Sequence, residues 1–309
     1  MITVLSMSPA IDKRIELEAL AVGGTSRAVS IHTEGAGKGI NVSLAAQALG
    51  LPVRCVGLLA GAGAPVEERL SRNGVAHAFL PAPGIVRTNL KLRSLATGEI
   101  TEVSEASPEA PAELLARAAN AAEAAAAKSR FLVLTGSLPS ACPPGFYADI
   151  IRRVKVQAPA CRIVLDADGE RLSLGVTEGV WLVKPNLTEL EQAAGRSLRS
   201  REDILAAARA LRSRGAACVV VSMGSRGAIA VMEGAVCEAP AMEVKVRTTT
   251  GAGDAMVAGL LYGFMRGFSL DAALRCGTAA AAARCVHGGG AFLDWGDYQG
   301  LLSRTETLA

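Results

Sequence analysis

Aromatic residues are scarce in this chain of 309 residues, and so are histidines, of which there are three. With no polybasic run interleaved with aromatics, and 32 basic residues against 29 acidic ones, the chain lacks both a stacking platform for bases and a stripe for a phosphate backbone. His32, His77 and His287 stand apart, without metal-ligand spacing. The seven cysteines contain no C-x-x-C pair and lie in apolar surroundings, which reads as buried free thiols rather than a disulfide framework. No uninterrupted apolar stretch approaches the length of a membrane span, and the first strand meets Asp12-Lys13-Arg14 before a signal-peptide core could form. The expectation is a cytoplasmic protein with neither membrane nor nucleic acid as partner. Two phosphate-binding fingerprints are missing as well. Lys38 is followed by Gly rather than Ser or Thr with no glycine five positions earlier, so there is no Walker A loop, and no G-x-G-x-x-G opens a dinucleotide site there.

Half the residues are hydrophobic and alanine is abundant, as suits helices packed closely on a sheet. Short β-branched runs alternate with helical patterns: strands are predicted at 2–5, 54–58, 131–134, 162–165, 179–183 and 218–221, and helices at 42–49, 64–73, 112–127, 144–156, 187–194 and 202–214. Little period-2 alternation appears in the strands, which marks strands buried on both faces, and strands separated by helices imply parallel crossovers. A doubly wound, mostly parallel α/β sheet follows. Residues 13–34 and 86–105 break the pattern, being polar, alternating and strand-like; they predict antiparallel strands in a small separate layer. The residues from Thr305 are expected to fray.

The most informative segment is Thr248-Thr249-Thr250-Gly251-Ala252-Gly253-Asp254-Ala255-Met256, a glycine loop entering a helix. Backbone N–H groups at a helix start lack intrahelical partners and the macrodipole is positive there, so the loop can hold a phosphoryl group with Asp254 beside it. The competing reading makes Asp254 an N-cap and the glycines a turn. Gly35-Ala36-Gly37-Lys38-Gly39-Ile40-Asn41-Val42 is a second such turn, in which Lys38 and Asn41 offer donors to hydroxyls or phosphate. Asp12 is expected to project from the carboxyl end of the first strand, where open α/β sheets bind ligands, or else to form a turn. Asn186 followed by Glu189 is either a capping box or a pair of oxygens facing a water-bound Mg²⁺. Ser222-Met223-Gly224-Ser225-Arg226-Gly227 ends another strand and offers backbone to a ribose or adenine. Strand alternation puts Arg87 and Lys91 on one side.

In this order the segments resemble the PfkB-type, ribokinase-like carbohydrate kinases over essentially the whole chain, and in particular their phosphofructokinase and tagatose-6-phosphate kinase branch. Thr250-Gly251-Ala252-Gly253-Asp254 matches the family's C-terminal signature, and Gly37-Lys38-Gly39-Ile40-Asn41-Val42 its N-terminal one. Ser8 to Asp12, Gly136-Ser137-Leu138-Pro139, Lys184 to Leu190, and Arg87 with Lys91 are branch-level features. The resemblance implies that Asp254 deprotonates the acceptor hydroxyl while the amides of Gly251, Ala252 and Gly253 stabilise the transferred phosphoryl. It implies that Asp12, Gly37, Lys38, Gly39, Asn41 and Ser137 hold the sugar, with Arg27, Arg87 and Lys91 on its existing phosphate. Lys184, Asn186, Ser222, Gly224 and Gly227 would face ATP, and Asn186 and Glu189 would organise Mg²⁺ through water.

The same resemblance implies one kinase domain over 1–309, with the two polar stretches as a lid that forms a homodimer contact. Ser8, Ala36 and Asp168 depart from the branch pattern, which leaves substrate choice open. The leading expectation is an ATP- and Mg²⁺-dependent kinase of fructose 1-phosphate that makes fructose 1,6-bisphosphate. Tagatose 6-phosphate or fructose 6-phosphate is the nearest alternative substrate. A kinase of an unphosphorylated sugar or nucleoside, and a non-catalytic sugar-phosphate sensor, are the remaining readings.

Overall fold

A computed structural model describes residues 1–287 and 292–306. Its large sheet has nine strands: β1 (Ile2–Ser6), β4 (Val53–Gly61), β5 (Ala76–Ile85), β8 (Phe131–Thr135), β9 (Arg162–Asp166), β10 (Val180–Val183), β11 (Ala216–Ser222), β12 (Ala228–Met232) and β13 (Ala235–Ala239). Their order is β13-β12-β11-β10-β9-β8-β1-β4-β5. Strands from β11 to β5 pair in parallel, and β12 and β13 extend the sheet antiparallel. The absence of period-2 alternation has its cause here. Phe131 and Val133 of β8 enter one core while Leu132 and Leu134 enter the other, and Cys218 and Val220 of β11 part from Val219 and Val221 in the same way.

Helices α1 (Lys38–Ala48), α2 (Ala64–Arg72), α8 (Ala252–Met265), α9 (Leu270–Val286) and α10 (Trp295–Glu306) supply the first core. Helices α3 (Ala112–Ala126), α4 (Phe146–Gln157), α5 (Gly169–Thr177), α6 (Leu187–Ala194) and α7 (Arg201–Ser213) supply the second. Glycines let α8 and α9 approach closely, since a Cβ on Gly259 would stand 2.4 Å from the Cys276 carbonyl oxygen. Thr305 and Glu306 lie in α10; residues 307–309, also expected to fray, are outside the described residues. All seven cysteines are free, four of them buried and Cys142, Cys237 and Cys285 half-buried. No described helix is long and apolar enough to cross a membrane.

The two polar stretches form a separate four-stranded sheet from β2 (Ala10–Leu17), β3 (Ala28–Ala36), β6 (Arg87–Ser94) and β7 (Ile100–Ser104), in the order β3-β2-β6-β7. The expectation of wholly antiparallel strands fails at its centre, where β2 and β6 run parallel. They continue from β1 and β5, two strands of the large sheet that already point the same way, and so they leave it in the same direction. The outer pairs β2–β3 and β6–β7 are antiparallel. Ala10 opposite Arg87, Asp12 opposite Asn89 and Arg14 opposite Lys91 share one face of this sheet.

Candidate active site

The carboxyl ends of the parallel strands, the starts of α1 and α8 and the inner face of the small sheet enclose one cavity of about 970 Å³. Asp254, 6% exposed, lines it. Gly251 is the N-cap of α8, with φ +82° and no side-chain cap, so Asp254 is the third residue of the helix. Its carboxylate turns away from its own backbone and accepts a hydrogen bond from the Asn41 side-chain amide at 2.8 Å. The capped-turn reading of Asp254 therefore fails. Burial, reinforced by the neighbouring Asp166 carboxylate, pushes the Asp254 carboxyl up to about 6, against the Asn41 hydrogen bond and the Lys38 and Lys184 ammonium groups. Such a group is ionised at neutral pH yet holds a proton far better than an exposed aspartate.

A second carboxylate, Asp166, closes β9 and is 1% exposed. It pairs with Lys184 at 3.2 Å and Lys38 at 3.9 Å, and accepts from the Thr135 hydroxyl at 3.1 Å. Burial alone would raise its pKa, but the two lysines and Thr135 hold the carboxyl below its usual range. Lys38 in turn is raised, chiefly by Asp166 and then by Asp254 and Glu189 against the effect of burial. Lys184 Nζ stands 3.3 Å from the point that a Cβ on Gly253 would occupy. Two cations and the start of α8, which no side chain caps, thus converge, an arrangement able to hold a phosphoryl group.

On the small sheet, Asp12 accepts from the Asn89 amide and from Lys91, each at 2.9 Å, and Lys91 also reaches the Thr250 hydroxyl at 3.4 Å. Arg87 donates to the Ser8 carbonyl at 3.3 Å and keeps a buried Nε without a partner among the described residues. Arg87, Asn89 and Lys91 all line the cavity, as alternation along one strand requires. Asp12 belongs to β2 rather than projecting directly from the end of β1. On the opposite side, Asn186 and Glu189 form the full capping box: Glu189 N–H donates to the Asn186 side chain at 2.8 Å and Asn186 N–H to Glu189 Oε2 at 2.9 Å. Glu189 Oε1 faces Lys38 at 3.9 Å. Ser222, Gly224 and Gly227 line a wall that continues into Met242, Val244 and Val246, apolar enough to cover a flat ring.

Three expected contacts are not brought to the cavity. Arg27 is exposed, and it precedes Ala28, which pairs with Leu17 at the far end of the hairpin, roughly 17 Å along the strand from Asp12. Ser137 is half-buried but does not line the cavity. Gly39 is buried within α1, which begins at Lys38 rather than at Val42; a Cβ there would fall 2.7 Å from Ser6 Cβ, so this glycine lets α1 lie against β1. Gly37, Lys38 and Asn41 do line it. Asp166 and Asn89 line the cavity without being expected there. Each carried a signal: Asp166 ends a buried parallel strand at its carboxyl end, and Asn89 stands at period two between Arg87 and Lys91.

No group of three or more His, Cys, Asp or Glu among the described residues could hold a metal by itself. The donor set does fit a hydrated Mg²⁺ that arrives with phosphates, because such an ion keeps most of its waters and needs one or two carboxylates.

A family model described as pfkB family carbohydrate kinase matches residues 6–295. The chain is 34% identical to a 1-phosphofructokinase of Escherichia coli strain K12 over 282 residues, covering 91% of this chain and 89% of that one. It is 31% identical to a 1-phosphofructokinase of Bacillus subtilis strain 168 over 284 residues, covering 92% of each. Among solved structures, phosphofructokinase-2 from Escherichia coli in complex with potassium superposes with a TM-score of 0.92 at 28% identity, covering 99% of both chains. With these matches spanning nearly its whole length, the chain belongs to the pfkB family of carbohydrate kinases.

Proposed function

We propose that the protein transfers the γ-phosphoryl group of ATP to the 6-hydroxyl of fructose 1-phosphate, giving fructose 1,6-bisphosphate and ADP. The observation that carries this reading is the Asp254 carboxylate, buried, raised to about 6 and held by Asn41, directly beside the uncapped amides of α8. The choice of sugar phosphate is supported by the 1-phosphofructokinases of Escherichia coli and Bacillus subtilis at 34% and 31% identity. A second acceptor, fructose 6-phosphate, is supported by the phosphofructokinase-2 structures, one of them solved with that sugar at 27% identity.

Asp12 and Asn89 accept and donate hydrogen bonds to the sugar hydroxyls, and Arg87 and Lys91 neutralise its phosphate. Asn41 orients Asp254, which takes the proton of the acceptor hydroxyl as that oxygen bonds to the γ-phosphorus and the bond to ADP breaks. Such positioned proton transfer contributes about 10² to 10⁴ in rate. The amides of Gly251, Ala252 and Gly253 and the Lys184 and Lys38 ammonium groups stabilise the charge spread over the moving phosphoryl oxygens. Asp166 fixes both lysines in place. Asn186 and Glu189 would hold Mg²⁺ through water, and the ion would neutralise charge on the phosphates. The wall from Ser222 to Gly227 with Met242 and Val244 receives the adenosine.

The small sheet covers the sugar and excludes water, and its outer face supports a homodimer: Ile15, Leu90 and Leu92 lie there beside Ile31 and Val103, which are 57% and 50% exposed. Sedimentation equilibrium reads this directly; a monomer at micromolar concentration would remove the dimer. Substrate choice is tested by turnover with ATP on fructose 1-phosphate, fructose 6-phosphate and tagatose 6-phosphate at matched concentrations. The highest kcat/KM is expected on fructose 1-phosphate, and activity on none of the three would sink the reading.

A further inference from the structure

Arg284 takes no part in the site as described, yet it stands where a charge has leverage. It lies in the last turn of α9 and is 4% exposed. Its helix neighbours Ala281, Ala282 and Cys285 line the cavity, whereas Arg284 faces the back of the α8 start. Its Nε falls 3.4 Å from the point that a Cβ on Gly251 would occupy, and the ring of Phe292 comes within 2.7 Å of the same point. The guanidinium lies 4.6 Å from the centre of that ring, and Nη1 donates to the His287 carbonyl at 2.6 Å. Nε has no hydrogen-bond partner among the described residues. Glu34 is the carboxylate that faces the group, and Glu34 is already engaged by Arg14 and Arg69.

Burial of a cation without a carboxylate of its own is unfavourable, and the balance improves when an anion arrives nearby. Gly251, beside Arg284 Nε, lines the cavity and opens α8, whose start offers a place to an anion. We propose that Arg284 is a positioning residue for phosphoryl transfer: it seats Gly251 in its left-handed conformation and adds a fixed positive charge behind the amides of Gly251, Ala252 and Gly253. The field on the phosphoryl group then exceeds what the helix start supplies alone. This inference rests on the reading of that loop as the phosphoryl site. It adds a residue outside the cavity to those that touch the substrates. The ring of Phe292 completes the arrangement, because it stacks on the guanidinium and closes the space beside Gly251.

Arg284→Met and Arg284→Lys are to be compared with the unaltered protein by steady-state kinetics with ATP and fructose 1-phosphate, and by calorimetric titration with a nonhydrolysable ATP analogue. Arg284→Met is expected to lower kcat by about tenfold or more, while KM for fructose 1-phosphate stays within about twofold. It should also weaken binding of the analogue. Millimolar guanidinium chloride should restore part of both losses, and sodium chloride at the same ionic strength should not. Arg284→Lys, which keeps the charge, should lose much less. Equal impairment of both variants without guanidinium rescue, or unchanged kcat and analogue affinity in Arg284→Met, overturns the proposal and leaves Arg284 a packing element. Should Arg284→Met not fold, Arg284→Gln takes its place under the same criteria. If the unaltered protein turns over none of the three ketohexose phosphates, the proposed function fails, and the analogue titration alone then decides the role of the charge.

Discussion

Helices α6 and α8 both begin at the rim of the same cavity, and both carry an acid as their third residue, Glu189 in one and Asp254 in the other. The two acids do opposite things. Glu189 reaches back to the Asn186 N–H while Asn186 caps the Glu189 N–H, so the start of α6 is satisfied internally. Asp254 is one methylene shorter and follows two glycines around an alanine; it bonds Asn41 from α1 instead, and no side chain caps α8. Ala252 N–H donates to the Thr249 carbonyl at 3.2 Å, and no side chain caps the other amides that open α8, which therefore stay available to a ligand, at a cost that a capped helix avoids. A helix start becomes a site when its own residues decline to satisfy it and a neighbouring helix holds the acid.

The largest expected effect breaks the α8 side of this contrast. Asp254→Asn should lower kcat by about 10² or more with substrate binding retained, and unchanged turnover would remove Asp254 from the mechanism. In the unaltered protein kcat/KM should rise with pH through about 6, as the base loses its proton. The same raised pKa carries a stability signature. Asp254 folds with a pKa of about 6 against 3.8 for an ordinary aspartate, so its protonated form stabilises the fold below pH 4 and that contribution is lost as pH rises through 6. Asp254→Asn should therefore exceed the parent in stability above pH 6 by up to about 3 kcal/mol, with the gain vanishing near pH 4. Urea unfolding across that range measures it, and a gain independent of pH would contradict the burial argument.

Smaller effects sharpen the α6 side. Glu189→Gln keeps an oxygen that can accept from Asn186 N–H, so urea stability should change by less than about 0.5 kcal/mol while the Mg²⁺ concentration for half-maximal rate rises. An unchanged Mg²⁺ dependence would make Glu189 a cap alone. Asn186→Ala should cost about 1 kcal/mol in unfolding free energy, and no loss would mean that the capping box is idle.

Much of the site was legible in the sequence because its pieces are local. Two glycine turns entering helices, Asn186 with Glu189, and Arg87 with Lys91 at period two each lie within a few residues, where backbone chemistry alone fixes who faces whom. Arg27 lies away from the cavity of its own chain because its place at the hairpin end carries it there, which its charge and chain position do not reveal. Gly39 sits inside a signature and yet serves contact between α1 and β1, a packing demand visible only once Ser6 is beside it. The parallel pairing of β2 and β6 was hidden too, since it is inherited from the directions of β1 and β5.

The sheet-and-helix alternation, the glycine loop with Asp254 and the capping box can be read from short segments, because periodicity, glycine and short-range hydrogen bonds act over a few residues. Folding brings Asn41 rather than α8 itself to Asp254, lets Asp166 tie Lys38 to Lys184, and sets Arg284 behind Gly251. These pairings join residues far apart in the chain, and burial in a shared low-dielectric centre, which no single segment possesses, gives their charges force.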